Sequence, residues 1–226
     1  MSLTHKLQGA NGSSPALSLT YQGSVTTSSA STTFTYTSAP IGTAASNRLV
    51  IVVVGNRWGA GSNTLNVNSV VIGGVSATRQ VVTTSPTIVS IWSAVVPTGT
   101  TANVVVTYSQ GPLGTSMSVY TIHGGASATA KTTAQAVQSG GTNPVSTTMN
   151  VTVKDIVIMG TTADCATSSV TLVGATENVE YDKTSGTRGQ FAAGSVAITA
   201  TQTGRTFSAT YATTDRSGIA VAAFNK

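Results

Sequence analysis

The residues that could do chemistry are few. Asn47 to Ser62 reads "NRLVIVVVGNRWGAGS", an apolar run entering a glycine-studded turn with an arginine and a tryptophan. A strand followed by a Gly-rich loop is where α/β enzymes hold phosphate, but a P-loop needs Gly-x4-Gly-Lys-Ser/Thr so that its lysine reaches the phosphate oxygens. "GNRWGAGS" has no lysine. The segment after it, "NTLNVNSVVIGG", reads as another strand, whereas a dinucleotide fingerprint needs a helix there. The loop therefore reads as a turn at the end of a sheet, with its glycines in conformations other residues avoid. Trp58 packs over that end or else stacks on a sugar ring, with Arg57 and Asn63 as hydrogen-bond donors. These three are the candidate binding residues.

Nucleophilic and acid–base sets are weaker still. The histidines are His5 and His123, far apart in sequence, and "GTSMS" lacks the final glycine of a Gly-x-Ser-x-Gly elbow. A carboxylate pair for glycosidic cleavage would come from Asp164, Glu177, Glu180, Asp182 or Asp215. Glu180 and Asp182 share one side of a strand but stand beside Lys183 and read as a solvated edge with ordinary ion pairing. Cys165 is the one cysteine, so no intrachain disulfide forms, and with the histidines it has no zinc spacing. No catalytic residue, metal or cofactor is expected, and the chain does not read as an enzyme.

Composition sets the scaffold. Apolar residues reach 40%, mostly Val, Ala and Ile, with 5% aromatic. Val and Thr are stiff at χ1 and suit a pleated surface, and no long stretch repeats apolar residues at helical spacing. Charged residues are 8%, against an ordinary share of about 25%. The surface must then be hydroxyls and amides. Net charge is +5, but the basic residues are scattered singly, without the stripe that neutralises nucleic-acid phosphates. All six carboxylates follow Lys154, so the front portion is weakly positive. The N-terminus lacks the apolar core of a signal peptide. No run approaches the ~20 apolar residues of a bilayer span. Neither nucleic-acid binding nor membrane insertion is expected.

Residues 1–17 read as an extended arm, and 18–226 as about fifteen short strands bounded by Gly, Asn, Ser or Pro. "TTFTYT" (32–37) and "RTFSATYA" (205–212) alternate, so one face is core and the other hydroxylated. "LVIVVV" and "DIVIMG" do not alternate and require burial on both sides as central strands; at an edge either would template aggregation. Each opens a similar block: central strand, Gly-ended strand, Thr/Gly hairpin, closing strand. The class is an all-β, antiparallel, jelly-roll-like β-sandwich built from two similar four-strand blocks. One sandwich is preferred over two separate halves, 18–125 and 126–226.

"SNRLVIVVVGNRW", "VVIGGVSATRQV", "VSIWSAVVPTGTTANVVVTYS", "SVYTIHG" and "RSGIAVAAFNK" resemble the jelly-roll-type β-sandwich of phage virion surface proteins (decoration or fibre) and related secreted bacterial adhesion modules. The resemblance covers about residues 17–226 and carries no catalytic set. It implies a non-enzymatic structural protein assembled in the host cytoplasm and carried on the virion. It would dock on capsid or fibre proteins as a homo-oligomer. The alternative is a carbohydrate-binding module recognising host-surface glycans.

Overall fold

The structure is a computed structural model that describes residues 16–57, 65–84, 87–165, 169–182, 189–212 and 216–226. Among these there is no helix. The first half of the chain contributes β1 (Ser18–Thr27), β2 (Thr33–Pro40), β3 (Leu49–Arg57), β4 (Val67–Ile72), β5 (Val75–Ser76), β6 (Thr78–Val82), β7 (Ile88–Val95), β8 (Thr101–Tyr108) and β9 (Gly114–His123). The second contributes β10 (Thr132–Ser139), β11 (Val145–Val151), β12 (Ile156–Asp164), β13 (Val170–Val173), β14 (Thr176–Asp182), β15 (Gln190–Ala197), β16 (Gln202–Tyr211) and β17 (Arg216–Phe224).

All pairings are antiparallel, in four sheets. The first inner sheet runs β1-β9-β3-β7-β6 and the first outer sheet β2-β8-β4-β5. The second inner sheet runs β10-β17-β12-β15-β14 and the second outer sheet β11-β16-β13. In the first half β1 pairs with β9, β2 with β8 and β3 with β7, so a long antiparallel ribbon is rolled with alternate pairs in opposite sheets, as in a jelly roll. The second half repeats the scheme with β10–β17, β11–β16 and β12–β15. The blocks legible in the sequence fall between β3 and β9 and between β12 and β17 of these larger rolls, which have nine and eight strands.

Three apolar layers separate the four sheets, and two central strands feed all of them. On β3, Val50, Val52 and Val54 enter the core under the first outer sheet, with Phe34, Val104 and Trp92. Leu49, Ile51 and Val53 face the opposite way, into a core shared with Ile156, Ile158, Phe191 and Phe224 of the second half. On β12, Val157 and Met159 turn from that shared core toward Phe207, Ala209 and Tyr211 of the second outer sheet. Leu49 to Val54 are all fully buried, which is why neither run alternates: both faces of each strand are dry. Burying one such side chain stabilises the fold by about 1.5–3 kcal/mol.

The inner sheets meet through missing side chains. A Cβ on Gly160 would lie 2.3 Å from Val53 Cγ1 and 2.9 Å from Val89 Cγ2, and one on Gly55 would lie 2.1 Å from the Phe191 ring. Both glycines sit in central strands and clear room for a large residue of the facing sheet.

Each central strand is preceded by a buried charge. Leu49 and Ile156 hold the same register place, opposite Val95 and Ile122 in one half and Ala197 and Phe224 in the other. Before them, Arg48 and Asp155 each donate a backbone N–H three residues back, to Ala45 O and Thr152 O, and accept from Val96 N and Ile198 N. Their side chains differ in sign. Arg48 donates through Nε to Val96 O (2.8 Å), through Nη1 to Gly42 O (2.6 Å) and Gly99 O (2.8 Å), and through Nη2 to Thr98 O (2.6 Å). Asp155 accepts from Thr152 N (2.8 Å), Asn225 Nδ2 (3.2 Å) and Lys131 Nζ (3.1 Å). Both residues are fully buried, so each charge is tolerated only because loop dipoles or partners surround it.

Two outcomes follow. Arg48→Met strands the carbonyls of Val96, Gly42, Thr98 and Gly99 and is expected to cost at least about 3 kcal/mol in chemical denaturation. Burial also raises the hydroxyls of Tyr108, Tyr120 and Tyr211 far above the usual tyrosine range. An unfolded chain releases those protons near pH 10 while the native state holds them, so stability is intact below about pH 10 and falls as pH rises further, by up to ~1.4 kcal/mol per unit for each residue. An alkaline series of denaturation curves should show this loss, and an unchanged midpoint between pH 9 and 12 would contradict it.

Candidate functional site

The ends of β3 and β12 come together at one end of the seam between the inner sheets. Thr162 Oγ1 donates to Gln190 O (3.1 Å) and to Asn56 O (3.4 Å), tying β12 to β15 and across to β3. Beside this tie lies a shallow, half-open recess with room for about one water molecule. Its floor is backbone: Gly55, Gly114 and Gly189 line it. Its walls are the Phe191 ring, the half-buried Tyr181, Ser116 and Gln190.

Each wall residue is held. Ser24 Oγ accepts from Tyr21 OH (2.8 Å) and is hydrogen-bonded with Tyr181 OH (2.7 Å), which links β1 of the first half to β14 of the second. Ser116 Oγ is hydrogen-bonded with Thr26 Oγ1 (3.0 Å). Gln190 donates to Glu180, whose Oε1 also accepts from Val170 N (3.1 Å). Glu180 is half-buried. It lies on β14, the edge strand of the second inner sheet, as the sequence reading has it, and there its hydrogen bonds brace β13 and β15. On the same strand, burial pushes the Glu177 carboxyl upward, and the charge of Glu180 adds to the effect.

On the far side of β3, Asn56 follows the alternation of Val52 and Val54 into the first core. Among the described residues its amide oxygen and nitrogen have no hydrogen-bond partner. Sequence reasoning did not find this polar group, because nothing in "GNR" distinguishes an inward amide from an outward one.

Of the three sequence-derived binding residues, the structure describes the backbone of Arg57. The backbone of Arg57 closes β3 opposite Gly114; Trp58 and Asn63 lie outside the described residues. Trp92 is in the core, 5% exposed, with Nε1 donating to Ser90 Oγ (2.9 Å) and the Arg79 guanidinium 5.7 Å from its ring. His123 ends β9 opposite Ser18. Cys165 is buried, with Sγ 3.5 Å from Gln190 Oε1. Asp215, His5 and most of the N-terminal arm lie outside the described residues. Among the described residues no three His, Cys, Asp or Glu side chains come together as a metal site.

No protein-family model matches the chain, and neither a curated protein nor a solved structure does. What stands from the resemblance is the fold: an all-β, antiparallel sandwich architecture.

The Tyr21–Ser24–Tyr181 bridge is a second polar fastening of the two halves at this end, beside the Thr162–Asn56 bond. Ser24→Ala is expected to lower stability by about 1–2 kcal/mol, measured by urea denaturation. A value indistinguishable from the parent would show that the bridge is exchanged for water at no cost.

Proposed function

We propose that this chain is a non-enzymatic structural protein of a phage particle surface, a capsid decoration or a head or tail fibre component. It acts by docking on other virion proteins and on copies of itself. The observation that carries this reading is the character of the two outer faces. On the first outer sheet Thr33, Thr35 and Thr37 are exposed, with Thr33 opposite Thr107. On the second, Thr148 lies opposite Thr206, beside exposed Ser146 and Thr210. A molecule closed by uncharged hydroxyl surfaces on both sides resists nonspecific adhesion and offers shape and hydrogen bonds to a chosen neighbour. Many copies on one particle turn weak single contacts into strong attachment. Such a protein would be assembled in the host cytoplasm and carried on the virion.

The other reading is a carbohydrate-binding module for host-surface glycans. One observation favours it: the recess beside Gly55 and Asn56, at the end of β3, carries the Phe191 and Tyr181 rings and the Ser116 hydroxyl in its walls.

Mass spectrometry of purified particles tests the first reading. The chain is expected in stoichiometric amount with the coat or fibre proteins, and its absence from particles would end the proposal.

A further inference from the structure

Three side chains from distant parts of the sequence meet at the start of β12. Asp155 is fully buried. The turn before it, with Lys154 at a φ of 76°, folds Thr152 back so that its Oγ1 donates to Asp155 Oδ1 (3.0 Å). Lys131 ends the crossing between the two halves, where its backbone N–H donates to Ala223 O (2.8 Å). Ser127 N–H, earlier in the crossing, donates to Asn225 O (2.7 Å). The crossing therefore runs beside residues 223–225 and brings the Lys131 and Asn225 side chains to the same carboxylate.

Both reach one oxygen of it. Lys131 Nζ lies 3.2 Å from Asp155 Oδ1 and 3.1 Å from Oδ2, and also donates to Thr152 Oγ1. Asn225 Nδ2 donates to the same Oδ1 at 3.2 Å. An amine, a carboxamide and a buried carboxylate touching both are the parts of an amide exchange. They supply a nucleophile, an acyl carbon with its leaving nitrogen, and a group that moves protons between the two nitrogens. Holding the start of a central strand does not demand this set, because Arg48 does so in the first half through backbone carbonyls. The Lys131 side chain is 34% exposed and Asn225 is half-buried, so a released ammonia has a way out.

We infer that Lys131 and Asn225 form an intramolecular amide cross-link, with Asp155 as the proton carrier. The Asp155 carboxylate takes a proton from the Lys131 ammonium, and the freed Nζ lone pair attacks Asn225 Cγ. Asp155 then hands that proton to Nδ2. The Cγ–Nδ2 bond breaks with its electron pair going to nitrogen, and ammonia departs as the Nζ–Cγ amide is completed. The surplus proton on Nζ passes through Asp155 to the ammonia. The products are a secondary amide and an ammonium ion, Asp155 is again a carboxylate, and no oxidant, cofactor or outside reagent is consumed. Fixing the three groups in one place supplies the proximity that such a slow reaction needs. The bond fastens the crossing between the halves to the end of β17 and, like any cross-link, restricts the unfolded chain. It is independent of which partner the outer faces dock on.

The test is mass spectrometry of the purified, denatured full chain. Its mass is expected to be that of the encoded sequence less one ammonia. A tryptic digest should show no cleavage after Lys131 and should join residues 217–226 to the peptide that carries Lys131. Lys131→Arg and Asp155→Asn should each restore the full mass, and the reading on the unsubstituted protein stands even if the second variant fails to fold. An unsubstituted protein of full mass would overturn the proposal. So would a loss of ammonia that persists in Lys131→Arg, which marks cyclisation of an asparagine without the lysine. A loss of water retained in Asn225→Ala would make Asp155 the acyl donor and overturn the assignment to Asn225.

Discussion

Everything in this molecule depends on the dry contact between its two inner sheets. Five-stranded sheets with apolar residues on both faces cannot stand in water alone. The first inner sheet covers one face with its own outer sheet and the other with the second half of the chain. Val53 against Gly160 and Phe191 against Gly55 show how close that approach is. Interiors pack at crystal-like density, so a methyl group added at either glycine meets atoms already in contact. The contact also explains the sparse aromatic content: with four thin layers, Val, Ala and Ile fill the space and few large rings fit.

The same contact turns a repeated unit into one body with distinct ends. Arg48 and Asp155 occupy equivalent places and solve the same problem, holding the loops before a central strand, with opposite charge. Arg48 gathers carbonyls, whereas Asp155 gathers N–H groups and an ammonium. The outer sheets carry threonine and serine hydroxyls on their exposed faces, and the exposed charges, among them Arg79, Lys154, Glu177 and Arg216, are spread over several elements.

Much of the fold was legible because burial leaves a period in the sequence. "TTFTYT" alternates because one face of β2 is wet; "LVIVVV" does not because neither face of β3 is. The order of the repeated blocks was visible for the same reason. β10, "TTAQAVQS", is harder to read, because an edge strand of mostly small and polar residues carries little apolar bulk and no clean alternation. The stacking of the rolls was also hidden, since a strand buried on two faces does not say which layer covers each. The recess is a property of that stacking. Gly55 and Phe191 are 136 positions apart, from the difference of their numbers, and no local motif joins them.

Native-state hydrogen exchange on the β3 and β12 amides tests the central contact most directly. If the inner sheets share one core, the slowest amides of Leu49 to Val54 and of Ile156 to Gly160 exchange only by global unfolding, with equal free energies and equal dependence on denaturant. Two different free energies, with one central strand opening while the other stays protected, would show that each half is stable alone and that the seam does not hold the molecule together.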